Sequence, residues 1–158
     1  MKKAWLCSLI IFSLVPSAYA SEEVGEFHLT RVKRTGILNP EERRSEFCIV
    51  GPEGTEIQIS SVDTSESETK YFDTLYPTEI ADVEKLVKLI QASKAGKLEE
   101  KSGSTADSAK IHRVRIHETY ENPAFSIVLS SEGTGKTVRN QAPEAAALVK
   151  FIDQNCDR

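Results

Sequence analysis

Leu86-Val87-Lys88-Leu89-Ile90 recurs almost unchanged as Leu148-Val149-Lys150-Phe151-Ile152. Both runs read as helix. Around the first, Ile80, Val83, Leu86, Val87 and Ile90 fall on one apolar stripe, with Asp82, Glu84, Lys85 and Lys88 on the remaining surface. Pro77 suits the opening turn, Gly96 the stop, and Lys94 the negative end of the helix dipole. The second helix is expected to open at Pro143-Glu144, to be shorter, and to bury Ala147, Leu148, Phe151 and Ile152.

Working outward, the segments before each helix also match. Leu29-Thr30-Arg31-Val32-Lys33 is echoed by Ile111-His112-Arg113-Val114-Arg115, and Phe47-Cys48-Ile49-Val50 by Phe125-Ser126-Ile127-Val128. Each of the latter runs is followed by a Glu-Gly pair, Glu53-Gly54 and Glu132-Gly133. Three matches in one order point to an internal repeat, spanning 26–96 and 110–156. Gly51-Pro52-Glu53-Gly54 has proline and glycine where a tight turn wants them, and Ile57 and Ile59 alternate with Gln58 and Ser60 as in a half-buried strand. The fold class that follows is α+β: two tandem β-β-β-α units forming an antiparallel sheet, with two helices packed on one face. Residues 97–110 hold almost nothing to bury and read as a polar linker. Residues 61–76 read as a loop whose Tyr71, Phe72, Leu75 and Tyr76 either pack on the core or meet a partner.

The N-terminus has a different character. Lys2 and Lys3 precede an apolar run from Ala4 to Val15, and then Ala18-Tyr19-Ala20 offers small residues for cleavage. Residues 1–20 therefore read as a cleavable secretory signal, too short for a comfortable span, leaving a single domain at 21–158. Ser21, not a cysteine, follows the cleavage point, so no lipid attachment is expected. The destination expected is the periplasm, with secretion as the alternative. Export in an unfolded state also lowers the prospect of a preloaded cofactor, and none is expected.

Without Lys2 and Lys3, the 20 basic residues fall short of the 24 acidic ones by about six charges. Nucleic acid and anionic lipid are therefore poor general partners. Cys48 and Cys156 remain after processing, and an oxidising compartment would join them as one disulfide.

No catalytic constellation emerges from spacing. Glu132-Gly133-Thr134-Gly135-Lys136-Thr137 resembles the end of a phosphate-binding loop, but the earlier glycine is replaced by Ser130 and the run lies between expected strands, where it reads as a hairpin turn. His112 and His117 are expected on opposite strand faces, solvated, with no metal set beside them. Arg31, Lys33, Arg113 and Arg115, with Tyr71 and Tyr76, form the candidate partner surface. The function expected is an exported, non-enzymatic binding protein of the cell envelope: an inhibitor, immunity-type or accessory protein whose target is a protein or an anionic polymer. One alternative is a small hydrolase using His112 or His117 as general base, with Glu118 or Glu121 nearby. The other is a structural subunit of an envelope complex.

Overall fold

The computed structural model describes residues 27–51, 54–63, 68–77, 82–117 and 125–157. The expected signal, Ile80, Glu118 and Glu121 lie outside the described residues. Six strands form one antiparallel sheet: β1 (Phe27–Thr35), β2 (Arg44–Gly51), β3 (Gly54–Asp63), β4 (Glu68–Tyr76), β5 (Leu98–Ile116) and β6 (Phe125–Asn140). Helix α1 (Val83–Lys94) follows β4, and α2 (Pro143–Cys156) ends the chain's described part. The strand order is β4-β3-β2-β1-β5-β6, so α1 carries the chain back across the sheet to place β5 beside β1.

The α+β class holds, with both helices on one sheet face. The repeat is uneven, however: four strands precede α1 and two precede α2. The matching segments 29–33 and 111–115 lie side by side, with Leu29 opposite Val114 and Val32 opposite Ile111. The match that carries 29 onto 111 also carries 32 onto 114, so these two pairs exchange with each other.

The face beneath the helices can be followed across the sheet in rows. Tyr76, Thr55, Val50, Leu29, Val114 and Ile127 make one, and Thr74, Ile57, Cys48, Arg31, His112 and Ser130 make the next. Leu86 and Ile90 of α1, with Ala145, Leu148 and Ile152 of α2, close over these rows and complete the core. Cys48 in β2 is bonded to Cys156 in the last turn of α2.

Several segments differ from expectation. Residues 98–110 are strand, not linker; the side chains of 98–108 are exposed and give no periodicity to read, yet the backbone of 98–102 pairs with the far end of β6. The aromatic stretch ending at Tyr76 is edge strand β4, not loop. Gly133 and Gly135 sit inside β6 with φ of 81° and 80°, where they accommodate a bend in β6 rather than a hairpin turn. At Gly133 a Cβ would lie 2.0 Å from the Ser108 carbonyl oxygen, so the close approach of the bent strands requires glycine.

The helices also shift. Asp82, not the Pro77 region, caps α1 by accepting a hydrogen bond from the Lys85 N–H at 2.8 Å. Helix α2 is the longer one, and it buries Ala145 while Ala147 faces solvent. Gly96 has a packing reason: a Cβ there would fall 1.8 Å from Asn140 Oδ1. Asn140 itself donates to the Ser93 and Val128 carbonyls and accepts from the Ala142 N–H, joining α1, β6 and α2.

The disulfide spans 108 positions of sequence and fixes α2 to the centre of the sheet. A loop of that length corresponds to about 5 kcal/mol in the chain-entropy account. Urea unfolding of Cys48→Ser with Cys156→Ser should show a loss of that order; a loss below about 1 kcal/mol would mean that core packing alone positions α2.

Candidate functional site

The row that carries Cys48 also carries Arg31 and His112, because the β1–β5 register places these two residues opposite each other. Both point under α2. Arg31 is only 1 % exposed. Its Nη1 donates to Asp153 at 2.9 Å and to Asp157 at 2.7 Å, and its Nη2 donates to Glu46 at 2.6 Å and to the Cys156 carbonyl at 2.9 Å. The guanidinium thereby stands at the C-terminal end of α2, where cations are favoured. Its Nε is buried without a hydrogen-bond partner, so the burial is incompletely compensated.

Charge balance extends outward. Lys33 reaches Asp157 at 2.7 Å, and Lys110 reaches Asp153 at 2.9 Å. Burial alone would push the Asp153 carboxyl up, but hydrogen bonds from His112, Lys110 and Arg31 outweigh it and hold the carboxyl far below its ordinary value. Asp157 is likewise lowered, chiefly by Lys33 and then by Arg31.

His112 is 3 % exposed, which corrects the expectation of a solvated ring. Its Nε2 lies 3.0 Å from Asp153 Oδ1 and its Nδ1 lies 2.8 Å from Ser130 Oγ. The carboxylate assigns the proton to Nε2, leaving Nδ1 to accept the Ser130 hydroxyl. Burial lowers the His112 pKa, against the pull of Asp153 and with the help of Lys110 and Arg31. The ring is therefore neutral at pH 7, and the charge that steadies Asp153 comes from the arginine and lysine. A cavity of about 330 Å³ beside α2 is lined by Lys110, His112, Ser130, Arg139, Asn140 and Asp153, among others.

The proposed partner residues do not form one stripe. Arg31 and Lys33 point under α2, whereas Arg113 and Arg115 are exposed on the opposite, uncovered face. Side chains alternate along a strand, and the register that sets Arg31 opposite His112 puts the odd-numbered residues of β1 on the same face as the even-numbered ones of β5, so Arg113 and Arg115 point the other way. Arg115 lies over the Phe47 ring at 5.7 Å. Tyr76 turns toward the core, while Tyr71 is 78 % exposed. Near it on β4, Phe72 is 60 % and Leu75 69 % exposed. Leu75 stands in the uncovered-face row that continues through Glu56, Ile49 and Thr30 to Arg113.

His117 does not join His112. It lies at the end of β5 with its Nε2 2.7 Å from His28 Nδ1. Among the described residues, no group of three or more His, Cys, Asp or Glu side chains is placed to hold a metal ion, and no helix is long and apolar enough to cross a membrane. No protein-family model matches the chain, and no curated protein matches it.

Glu46, Asp153 and Asp157 belong to no motif in the sequence, and Ser130 stands out there only as the residue in place of a phosphate-loop glycine. The signal for the three acids is indirect: they become visible once Arg31 is known to be buried and in need of counter-charge.

Replacing Arg31 with methionine should cost about 1 to 3 kcal/mol, because it removes the charge-assisted hydrogen bonds of a buried guanidinium, while the partly exposed carboxylates of Glu46, Asp153 and Asp157 keep access to water and lysine. A loss under about 1 kcal/mol in urea unfolding would show that Lys33 and Lys110 suffice. Acid should also destabilise the fold in two stages. His112 is lowered in the folded state, so its contribution is complete above about 6.5 and declines as the unfolded chain takes up the proton. Asp153 and Asp157 are lowered as well, so their contribution declines below about 4, toward their folded values. The first stage should vanish in His112→Gln.

Proposed function

We propose that this protein is exported, enters an oxidising compartment (the periplasm first, the exterior second), and binds another macromolecule without chemically transforming it. The observation that carries this reading is the exposed apolar group on β4. Tyr71, Phe72 and Leu75 stand on an edge strand that, among the described residues, pairs only with β3. An edge of this kind, with aromatic side chains in solvent, is a template for a partner strand or surface. Exposed tyrosine and arginine on the uncovered face add the residue types enriched at interfaces. The Cys48–Cys156 disulfide supports the compartment. The partner fitting these features is a protein, or an anionic polymer held through Arg113 and Arg115. We read the uneven βα halves as products of an internal duplication in which the first half gained β3 and β4.

A second reading has one specific observation in its favour: Ser130, His112 and Asp153 are connected by hydrogen bonds beside a cavity. In an ester hydrolase built this way, Ser130 Oγ would attack the carbonyl carbon as its proton passed to His112 Nδ1. The ring would then return that proton to the departing alcohol, and water would release the acyl group by the same route. The local charge argues against it. The imidazolium needed in that step is disfavoured by burial and by the neighbouring Lys110 and Arg31. This reading therefore ranks second to binding.

Mature protein, residues 21–158, should retain a dominant partner from an envelope extract at low salt, and a Tyr71→Glu, Leu75→Glu variant should lose it while unfolding like the parent. Retention by that variant would exclude the β4 surface, and an empty capture would count against binding altogether. A fluorophosphonate probe should leave the protein unlabelled. Labelling that disappears in Ser130→Ala would replace the binding reading with the hydrolytic one.

A further inference from the structure

The sharpest irregularity of the sheet builds a cavity on its uncovered face. Between the Ser102↔Lys136 and Lys110↔Glu132 pairs, residues 103–109 of β5 lie opposite only 133–135 of β6. The surplus chain bulges, and bulges of this kind re-aim side chains near binding sites. The bulge is fastened to the β1–β2 connection: the Ile37 N–H donates to the Asp107 carbonyl and the Leu38 N–H to the Asp107 carboxylate, each at 3.1 Å.

Between these two walls lies a cavity of about 570 Å³, within the size range of small-molecule sites. Its apolar lining is Val32, Ile37, Ala109 and Ile111. Arg34 and Arg43 supply two guanidinium groups, both exposed and neither with an ion pair or hydrogen bond among the described residues. The register explains the arrangement, since Arg34 stands between Ser45 and Ala109, and Val32 between Phe47 and Ile111, all on the uncovered face. Asp107, a carboxylate of the surrounding wall, is already engaged by the Leu38 N–H.

We infer that this cavity binds an amphipathic anion, an apolar chain or ring bearing one carboxylate or phosphate. The apolar part lies over Val32, Ala109 and Ile111, and the anionic group meets Arg34 and Arg43. Two free guanidinium groups beside an apolar floor match that chemistry and no neutral one: an uncharged ligand leaves both cations without a counter-charge, and a purely polar anion leaves the floor wet. The inference is independent of the macromolecular partner, whose surface centres on Tyr71 and Leu75.

Calorimetric titration of mature protein with laurate, dodecyl phosphate, dodecanol and inorganic phosphate tests it directly. Laurate or dodecyl phosphate should saturate one site, and whichever head group binds more tightly identifies the source of the anion. Dodecanol and inorganic phosphate should each bind about tenfold more weakly or not at all. Arg34→Gln and Arg43→Gln remove no ion pair or side-chain hydrogen bond among the described residues, and each should weaken binding about tenfold. Ala109→Leu should block the site sterically, with Ile111→Ser as a second variant should the leucine disturb β5. Absence of saturable binding by both amphiphiles overturns the inference. So does binding that is unchanged in the Arg34→Gln, Arg43→Gln double variant, or equal binding of dodecanol.

Discussion

A buried arginine determines how the two layers of this protein meet. Arg31 projects from the centre of the sheet into the C-terminal end of α2, and its four hydrogen bonds reach Glu46 on the neighbouring strand, Asp153 and Asp157 on and after the helix, and the Cys156 carbonyl. At Cys156 itself, the disulfide fastens the same turn to Cys48, on the strand beside Arg31. A covalent bond constrains distance, whereas the guanidinium fork constrains orientation. Together they leave α2 one way to lie on the sheet. That placement fills the space over Leu29, Val50 and Val114 with Leu148 and Ile152.

Charge is divided between the two faces. Beneath the helices, charge is matched to charge: Arg31, Lys33 and Lys110 face Glu46, Asp153 and Asp157. Groups so engaged have little left to offer a ligand, and the His112 ring is held neutral among them. On the uncovered face, Arg34, Arg43 and Arg113 have no such partners among the described residues, and the aromatic edge of β4 is open to solvent. Positive charge on a net acidic chain is thus hidden on one side and presented on the other.

How much of this could be read from residues alone varies with the physical source of the signal. Burial leaves periodicity, so the α1 stripe at Leu86 and Ile90, the β1 and β2 strands, and the helix at Pro143 were all legible. The cysteine pair was legible from its number together with the expected export. Polar strands leave no such trace: Leu98–Ile116 was unreadable over its exposed half because its order comes from backbone pairing with β6. Gly133 and Gly135 carried a true signal, positive φ, but a bend inside a strand and a turn between strands demand the same property. The basic cluster failed as a surface for a simple reason. Arg31 and Arg113 have opposite parity relative to the helices, and composition cannot tell which arginine is turned inward.

On the proposed reading, the uncovered face and the β4 edge bind the partner while the helical side holds the fold. Amide chemical-shift mapping of labelled protein, residues 21–158, during titration with an envelope extract tests it most directly. The account predicts shifts gathered on Tyr71 to Leu75 and along the row from Ile49 to Arg113, with α1 and α2 unmoved. Shifts gathered instead around His112, Ser130 and Asp153, or along the exposed side of α2, would contradict it.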